Sequence, residues 1–255
     1  MAFRPRSLQP ERVLTWDGCV NVRDLGGHPT EDGRTTRFGA VVRADSVRAL
    51  SDAGWDALLA YGVSRIVDLR LHSELALDPP RELSVEVVHV PLMHELDDEE
   101  WVEIDAIGDA EPDAAGSTRA VYLEVLERRR PRFAAAIAAV ANAPEGTVVV
   151  HCHGGKDRTG LVVALLLRLV GVDVETIAAD YALSGPNLRE QTAAWVAAAE
   201  DDLERERRRR IGIAPAEAMV AVLEELERRY GSVRGYLRAA GVPPDTIDAA
   251  AARLL

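Results

Sequence analysis

The sequence predicts an α/β protein with a largely parallel central sheet flanked by helices and an all-helical C-terminal half. Up to Thr159, short apolar runs rich in β-branched residues alternate with helical patterns. The run 148–150 leads through a glycine turn directly into a further apolar helical pattern. From residue 158 onward only helical patterns follow. We therefore expect residues 1–255 to form one domain, with the helical region 158–255 packed on the α/β core.

Strands are indicated where short apolar runs lie between turn residues. The run 64–69 contains Asp68 near its end, and ligands gather at the carboxyl ends of strands in open α/β sheets. The turn-rich stretch 21–33 carries Arg23 and Asp24, which are either a solvated ion pair or groups that reach the same edge. The predicted strands are 13–20, 38–43, 64–69, 85–90 and the run that begins at Val148.

Helices are indicated where a capping residue or a proline precedes apolar residues at helical spacing. Ser51 is a predicted N-cap, and Gly62 ends that helix. The acidic stretch 95–113 is predicted to be a solvated, mobile loop, with a catalytic flap as the alternative. The predicted helices are 51–61, 117–130, 131–143, 158–169, 174–183, 186–210, 215–230, 232–240 and 244–255.

The span 200–210 is almost entirely charged. We expect a solvated helix held by ion pairs between residues four apart. The alternative is that the arginines 207–210 attract a phosphorylated or lipid head group, or that the helix is a lid over a site. The predicted pairs are Asp201 with Arg205, Glu204 with Arg208 and Glu206 with Arg210.

The segment 151–160, His-Cys-His-Gly-Gly-Lys-Asp-Arg-Thr-Gly, carries the predicted chemistry. A turn between a strand and a helix directs backbone N–H groups and the positive end of the helix dipole at one point, which suits a phosphate dianion. Cys152 lies at that point, and we expect it to be ionised and to act as the nucleophile. Arg158 can hold two phosphate oxygens bidentately.

The other loop residues have supporting roles in this interpretation. Gly154 and Gly155 permit a backbone that a Cβ would forbid. Lys156 is the only lysine in the sequence, which indicates a local need for a compact point charge. Thr159 can donate its hydroxyl to the cysteine sulfur as that sulfur leaves. We expect His151 to set the loop by hydrogen bonding, and the predicted phosphate-binding residues are His153, Gly154, Gly155, Lys156, Asp157, Arg158 and Thr159.

A general acid is needed to protonate the leaving oxygen. Asp157, inside the loop, is the first candidate. The alternative is that Asp157 anchors the loop through Arg23 or through backbone N–H groups. Asp68 is the second candidate for the acid, and residues 97 and 98 are the third.

The loop resembles the signature loop of cysteine-dependent phosphatases, and its Lys-Asp-Arg form resembles bacterial tyrosine phosphatases of the mycobacterial protein tyrosine phosphatase B type. The resemblance implies a cysteine-phosphatase-like fold and dephosphorylation of phosphotyrosine, in some members also of phosphoserine, phosphothreonine and phosphoinositides. With it, Arg23 and Asp24 join His151 as candidates for residues that support the loop. Further similar segments span nearly the whole chain: 21–27, 67–70, 180–184, 230–233 and 236–237.

We therefore expect a phosphomonoester hydrolase that works through a cysteinyl-phosphate on a phosphorylated protein or a phosphoinositide and releases inorganic phosphate. No metal or other cofactor is expected, because the loop and Arg158 supply the positive charge. The alternatives are a phosphate-binding module without turnover and a dedicated phosphoinositide phosphatase. A single loop cysteine without an obvious resolving partner argues against arsenate reduction.

The bulk composition restricts the partners and the compartment. A net charge of −12 argues against a nucleic-acid binder. The chain has two cysteines, Cys19 and Cys152, and pairing them would consume the nucleophile, so a reducing compartment is expected. The N-terminus lacks an apolar signal segment, and the longest apolar run, 161–170, is too short to insert in a bilayer. We therefore expect a cytoplasmic protein.

Overall fold

A computed structural model describes residues 10–78, 84–93 and 98–255. The strands are β1 Arg23–Asp24, β2 Val41–Ala44, β3 Val63–Asp68, β4 Glu86–His89 and β5 Thr147–His151. They form a five-stranded sheet in the order β1-β2-β5-β3-β4. β1 is antiparallel to β2, and the other three pairs of neighbours are parallel, which confirms the predicted largely parallel sheet.

Helices flank the sheet and fill the C-terminal half of the described chain, as predicted. Several begin at a side chain that accepts a hydrogen bond from the backbone N–H three residues on, among them Ser51, Asp113 and Asp173. The helices are α1 Asp52–Ala60, α2 His72–Leu77, α3 Asp98–Asp109, α4 Ala114–Arg128, α5 Arg130–Ala141, α6 Asp157–Leu169, α7 Val174–Ala182, α8 Ser184–Asn187, α9 Arg189–Ala197, α10 Asp202–Gly212, α11 Ala216–Tyr230, α12 Val233–Ala239 and α13 Pro244–Leu254.

Strand β5 is the centre of the sheet, and all five of its residues are buried. Its valines alternate between the two faces: Val148 and Val150 pack with α5 and α6, whereas Val149 packs with α1 on the other face. In register, His151 pairs with Ala44 of β2 and Asp68 of β3. Because these three strands are parallel, the segments that follow them meet at one edge of the sheet.

The predicted strand 13–20 is wrong. Only Val13 pairs, in an isolated bridge with Arg23. Gly18 turns the chain with φ +96°, and a Cβ there would lie 2.1 Å from the carbonyl oxygen of Ala49, so the segment folds back rather than extending. Its apolar residue Trp16 packs edge-on against Tyr61, with ring centroids 6.0 Å apart.

The acidic stretch 95–113 is not the loop that its composition predicts, because α3 occupies residues 98–109. Ile104 is buried, and two arginines at the end of α4 pair with glutamates of α3. These pairs are Arg128 with Glu103 (2.8 Å) and Arg129 with Glu100 (2.7 Å). Residues 94–97, which include the candidate acid Asp97, lie outside the described residues, as does the side chain of Asp98.

The predicted long helix 186–210 is divided into α8, α9 and α10. The division before α10 arises because the Asp201 side chain caps it by accepting from the Glu204 N–H (2.7 Å) instead of pairing with Arg205. The predicted pair of Glu204 with Arg208 is present at 2.8 Å. The other two are replaced: Arg205 pairs with Asp202 and Arg209 with Glu206, while Arg210 donates to the carbonyls of Gly108 and Glu111.

None of the helices in the described ranges has the length and apolarity needed to traverse a bilayer.

Candidate active site

The segment between β5 and α6 forms a loop at the carboxyl edge of the sheet. Cys152 is its first residue, is 2% exposed, and lies at the base of a cavity of about 680 Å³. The loop residues His153, Gly154, Lys156, Asp157 and Arg158 also line this cavity. The strand-loop-helix arrangement predicted around the cysteine is therefore present, and the cysteine, although almost fully buried, borders the cavity.

Three consecutive carbonyl groups of the loop are held from outside the cavity. The His153 carbonyl accepts from the Ser46 N–H (2.8 Å). The Gly154 carbonyl accepts from Nδ2 of Asn21 (2.9 Å), and the Gly155 carbonyl accepts from Nη2 of Arg43 (2.7 Å). None of these donors lines the cavity. Because the N–H of a peptide group points opposite to its carbonyl, the next three N–H groups are directed toward the cavity side. This is the concave arrangement of amides that binds anions.

Gly155 makes this loop possible. Its φ is +64°, and a Cβ would lie 2.4 Å from the carbonyl oxygen of Ala44 at the end of β2. A larger residue would therefore displace the loop from the neighbouring strand. Directly after the loop, α6 begins at Asp157, so the positive end of its dipole faces the same point.

Arg158 is held by Glu74 of α2 in a two-pronged contact. Nη1 donates to Oε2 at 2.5 Å and Nη2 donates to Oε1 at 2.8 Å. Burial opposes the charge of the guanidinium, but the Glu74 hydrogen bonds and the proximity of Cys152 outweigh it and raise the pKa of Arg158. The same contact lowers the pKa of Glu74 against the opposite effect of its burial. Both groups therefore remain charged, and the plane of the guanidinium is fixed.

Asp157 is half-exposed at the cavity and is oriented by two neighbours. The Tyr122 hydroxyl donates to its Oδ1 (2.6 Å), and Nζ of Lys156 lies 3.4 Å from the same oxygen. Tyr122 is itself buried and bonded to the hydroxyl of Tyr181 (2.8 Å). Burial is the main cause that raises the pKa of Tyr122 well above its usual range, so this hydroxyl stays protonated. Arg23, one of the two predicted anchors of Asp157, pairs with Asp180 instead.

Asp68 is buried behind the loop. Its carboxylate accepts from Nε and Nη2 of Arg70 at 3.1 and 2.8 Å, and Nε2 of His151 lies 3.6 Å away. Asp68 is not among the residues that line the cavity. Burial lowers the pKa of His151, so this ring is neutral beside Cys152, and its Nδ1 lies 3.2 Å from the Cys152 carbonyl.

Arg23 supports the loop through a buried cluster around Asp180. The Asp180 carboxylate pairs with Nε of Arg23 (3.0 Å), with Nη1 of Arg43 (2.7 Å) and with Arg12. Arg23 also donates to Oδ1 of Asn21 (2.7 Å), so two of the groups that hold the loop carbonyls are fixed by this cluster. Burial lowers the pKa of Arg23 to about 10, which still leaves it charged at neutral pH.

The remaining predicted residues lie in three different environments. Thr159 is fully buried at the start of α6, and its Oγ1 has no hydrogen-bond partner among the described residues. His153 is an exposed side chain at the rim, 4.0 Å from Glu74. Asp24 accepts from Gly39 N–H (2.9 Å) and from the Tyr61 hydroxyl (2.6 Å), and it holds the β1 turn rather than the loop.

Lys156 is 7% exposed, and its Nζ donates to two carbonyls at the end of α10, those of Ile211 (2.5 Å) and Ile213 (3.0 Å). α9 and α10 both contribute residues to the cavity wall, including Trp195 and Ile211. The end of α10 therefore forms part of the cavity wall and is bonded to the loop through Lys156.

Sequence reasoning did not identify three groups that the fold brings to the site: Glu74, Tyr122 and the apolar walls of the cavity. Glu74 lies a few positions after the predicted strand 64–69. A carboxylate so close to Arg70 in the sequence is the signal that could have identified it as a site residue. Tyr122 and the walls carry no local signal, because they come from helices distant in the chain. Among the described residues, no cluster of three His, Cys, Asp or Glu residues has a geometry suited to a metal ion.

Comparison with known proteins agrees with this geometry. A model of the tyrosine phosphatase family matches residues 14–255. A tyrosine-protein phosphatase of Nostoc commune is 31% identical over 84% of this chain and 74% of its own length. The triple specificity protein phosphatase PtpB of Mycobacterium tuberculosis is 28% identical over 91% of this chain and 95% of its own length. With nearly the whole chain matched and the cysteine loop in place, this protein belongs to the tyrosine phosphatase family.

Proposed function

We propose that this protein hydrolyses phosphomonoesters, phosphotyrosine first among them, through a covalent cysteinyl-phosphate. The observation that carries the proposal is the set of three loop carbonyls held from behind, which turns the following N–H groups toward Cys152. Together with the fixed guanidinium of Arg158, these donors surround the space in front of the sulfur. A tetrahedral dianion is the ligand that such a set of donors fits.

The reaction has two steps. In the first, Sγ of Cys152 attacks phosphorus, the bond from phosphorus to the ester oxygen breaks, and Asp157 gives that oxygen its proton. The loop amides and Arg158 bind the equatorial oxygens as charge develops on them. In the second, water attacks phosphorus, the sulfur leaves as thiolate, and Asp157 takes a proton from the water. Thr159, whose hydroxyl is buried without another partner among the described residues, donates to the departing sulfur.

Asp157 fits the role of acid better than Asp68 does. Asp157 lines the cavity, whereas Asp68 is buried in a contact with Arg70 that keeps it ionised. On Asp157, Tyr122 and Lys156 engage Oδ1, so the proton is carried by Oδ2. The anchoring contacts and the acid role are thus compatible on one carboxyl group.

Two findings support phosphotyrosine as a substrate. The tyrosine phosphatase family match covers residues 14–255, which include both the α/β part and the helical region. The cavity above Cys152 has apolar walls that include Val125 and Leu161, and these suit an aromatic ring. The name of the mycobacterial relative, a triple specificity protein phosphatase, supports activity on more than one substrate class.

The proposal is tested with purified protein and p-nitrophenyl phosphate. Cys152→Ser should lower kcat by at least about 10³-fold, and acid quench of the native enzyme should trap phosphate on a peptide that contains residue 152. Cys19→Ser is the matched control, because Cys19 bonds the Ser46 carbonyl outside the cavity. Cys19→Ser should keep full activity. Absence of turnover by the native protein would instead support a phosphate-binding module.

The acid is tested separately with two leaving groups. Asp157→Asn should lower kcat for an alkyl phosphate by about 10²-fold or more and change kcat for p-nitrophenyl phosphate little, because nitrophenolate leaves without a proton. Asp68→Asn should affect both substrates alike. The reverse pattern would transfer the role to Asp68.

A further inference from the structure

The cavity above Cys152 is larger and more apolar than a phosphate site requires. Its volume, about 680 Å³, lies within the range of pockets that enclose a drug-sized molecule. Two tryptophans, Trp101 of α3 and Trp195 of α9, face it together with Met93 and Ile211. The walls therefore favour a substrate that carries a bulky apolar or aromatic group next to its phosphate.

The charges around the same cavity cancel. Apart from the histidine at the rim, the described residues that line it include three cations and three carboxylates. Each cation is already paired with a carboxylate: Arg158 with Glu74 (2.5 Å), Arg207 with Asp105 (2.5 Å) and Lys156 with Asp157 (3.4 Å). In the proposed function, the loop amides and Arg158 bind a single phosphate group. No unpaired lysine or arginine remains among the described lining residues for a second one.

The arginines of α10 are also engaged elsewhere. Arg208 pairs with Glu204 (2.8 Å) and lies over the ring of Trp195 at 5.2 Å. Arg209 pairs with Glu206 (3.2 Å), and Arg210 donates to the carbonyls of Gly108 in α3 and Glu111 just after it. The cationic run that could attract a multiply charged head group is therefore already engaged, by ion pairs within α10 and by bonds to the end of α3.

We infer, on the basis of the proposed function, that the substrates of this site carry a single phosphate on a bulky aromatic or apolar group, and that Asp105 excludes polyanionic head groups by neutralising Arg207. Arg207 is the one lining cation whose partner lies outside the catalytic loop and its support. A second phosphate placed near α10 meets the Asp105 carboxylate and a guanidinium that is already paired.

The inference makes Asp105 a residue that determines specificity without touching the reacting atoms. Removing its charge leaves Arg207 with only the longer contact to Glu204 (3.9 Å, from Nη1), so its Nη2 becomes available to a second phosphate. Both side chains of the pair are partly exposed, Arg207 by 38% and Asp105 by 44%, so the fold should tolerate the change.

The experiment measures kcat/KM of the full chain for three substrates: p-nitrophenyl phosphate, biphenylyl phosphate and a water-soluble short-chain phosphatidylinositol bisphosphate. We expect biphenylyl phosphate to exceed p-nitrophenyl phosphate by about tenfold, because its second ring is buried. We expect the bisphosphate to be the poorest of the three. Asp105→Asn should raise the ratio of bisphosphate to p-nitrophenyl turnover by about fivefold.

The matched control is Glu103→Gln, on the same helix, whose partner Arg128 lies outside the cavity. It should leave that ratio unchanged. The inference is overturned if the native protein prefers the bisphosphate, or if Asp105→Asn and Glu103→Gln behave alike. If no substrate is hydrolysed, p-nitrophenyl phosphate included, the proposed function fails and the inference fails with it.

Discussion

The hydroxyl of Tyr122 lies 2.6 Å from Oδ1 of Asp157, and this contact joins α4 to the first residue of α6. Tyr122 has one proton to donate, so its bond to Tyr181 is one in which Tyr181 donates. Two buried tyrosines therefore form a chain of hydrogen bonds that ends on the proposed acid. The chain fixes which oxygen of Asp157 faces the cavity.

Tyr122→Phe removes this contact and keeps the ring. We expect kcat for an alkyl phosphate to fall by about tenfold and KM to change little, because the proton is no longer directed at the leaving oxygen. With p-nitrophenyl phosphate, kcat should stay within about twofold. Steady-state kinetics on both substrates is the measurement.

Tyr236→Phe is the control for this prediction. Tyr236 is as deeply buried, but its hydroxyl donates to the Leu126 carbonyl (2.8 Å) away from the cavity. If Tyr236→Phe gave the same dependence on the leaving group, the effect would be one of packing and Tyr122 would have no role in orienting the acid.

Glu74→Gln should weaken catalysis through Arg158. The amide keeps the size of the side chain but lacks the second acceptor oxygen, so the guanidinium loses one of its two fixed contacts. We expect kcat/KM to fall by about 10 to 100-fold with p-nitrophenyl phosphate, and the affinity for the competitive inhibitor vanadate to fall with it. Glu86→Gln, which breaks the Arg65 pair near the amino-terminal ends of β3 and β4, opposite the edge that carries the site, should change neither quantity.

The loop between β5 and α6 could be predicted from the sequence because its functional residues are contiguous in the chain. Cys152, the glycines and Arg158 all fall within ten positions, and the strand before them is a plain run of valines. Glu74 and Tyr122 lie 84 and 35 positions from the residues they contact, and no local pattern links them to those residues. Their roles are a consequence of packing, which only the fold supplies.

The acidic stretch 95–113 shows the other limit of sequence reasoning. Its composition is typical of a solvated loop, yet α3 forms because arginines of α4 and α10 neutralise its carboxylates. Long-range ion pairs of this kind override local propensity. The strand predicted over 13–20 failed for a related reason, since the close approach of Gly18 to Ala49 cannot be read locally.

Asp180→Asn should destabilise the whole protein. Asp180 is fully buried and neutralises Arg23 and Arg43, together with Arg12, so the substitution leaves buried guanidinium groups without a counter-charge. We expect a loss of about 3 to 5 kcal/mol in the free energy of unfolding, seen as a Tm lower by about 10 °C. Asp202→Asn, which breaks the exposed pair with Arg205, should leave Tm unchanged. Equal effects of the two variants would contradict a stabilising role for the cluster.

His28 should make stability fall in mild acid. Burial, aided by the charge of Arg12, lowers the pKa of His28 to about 4, below its ordinary value of 6.5. Between these values the unfolded chain binds a proton that the folded chain does not, so stability is complete above the upper value and is lost as the pH falls. At about pH 5 the loss from this residue is about 2 kcal/mol relative to about pH 7.

The measurement is urea unfolding of the native protein and of His28→Gln at both pH values. The variant, which cannot take up the proton, should lose about 2 kcal/mol less between them. His151, whose pKa is also lowered by burial, contributes a slope in the same direction that remains in the variant. A pH dependence identical in the two proteins would exclude His28 as the titrating group.

Lys156→Met should loosen α10 from the site. The ammonium of Lys156 donates to the carbonyls of Ile211 and Ile213 at the end of α10, where helix carbonyls lack an intrahelical partner. Methionine preserves the length of the side chain and removes both bonds. α10 carries a run of arginines, so its detachment exposes trypsin sites, and limited trypsinolysis should cut the variant within 205–210 several-fold faster than the native protein.

Cys152→Ser, which removes activity but leaves these bonds, should be cut at the native rate. If both variants were cut alike, the lysine would act on the bound phosphate alone, and α10 would be held by the contacts of Arg207 and Arg210.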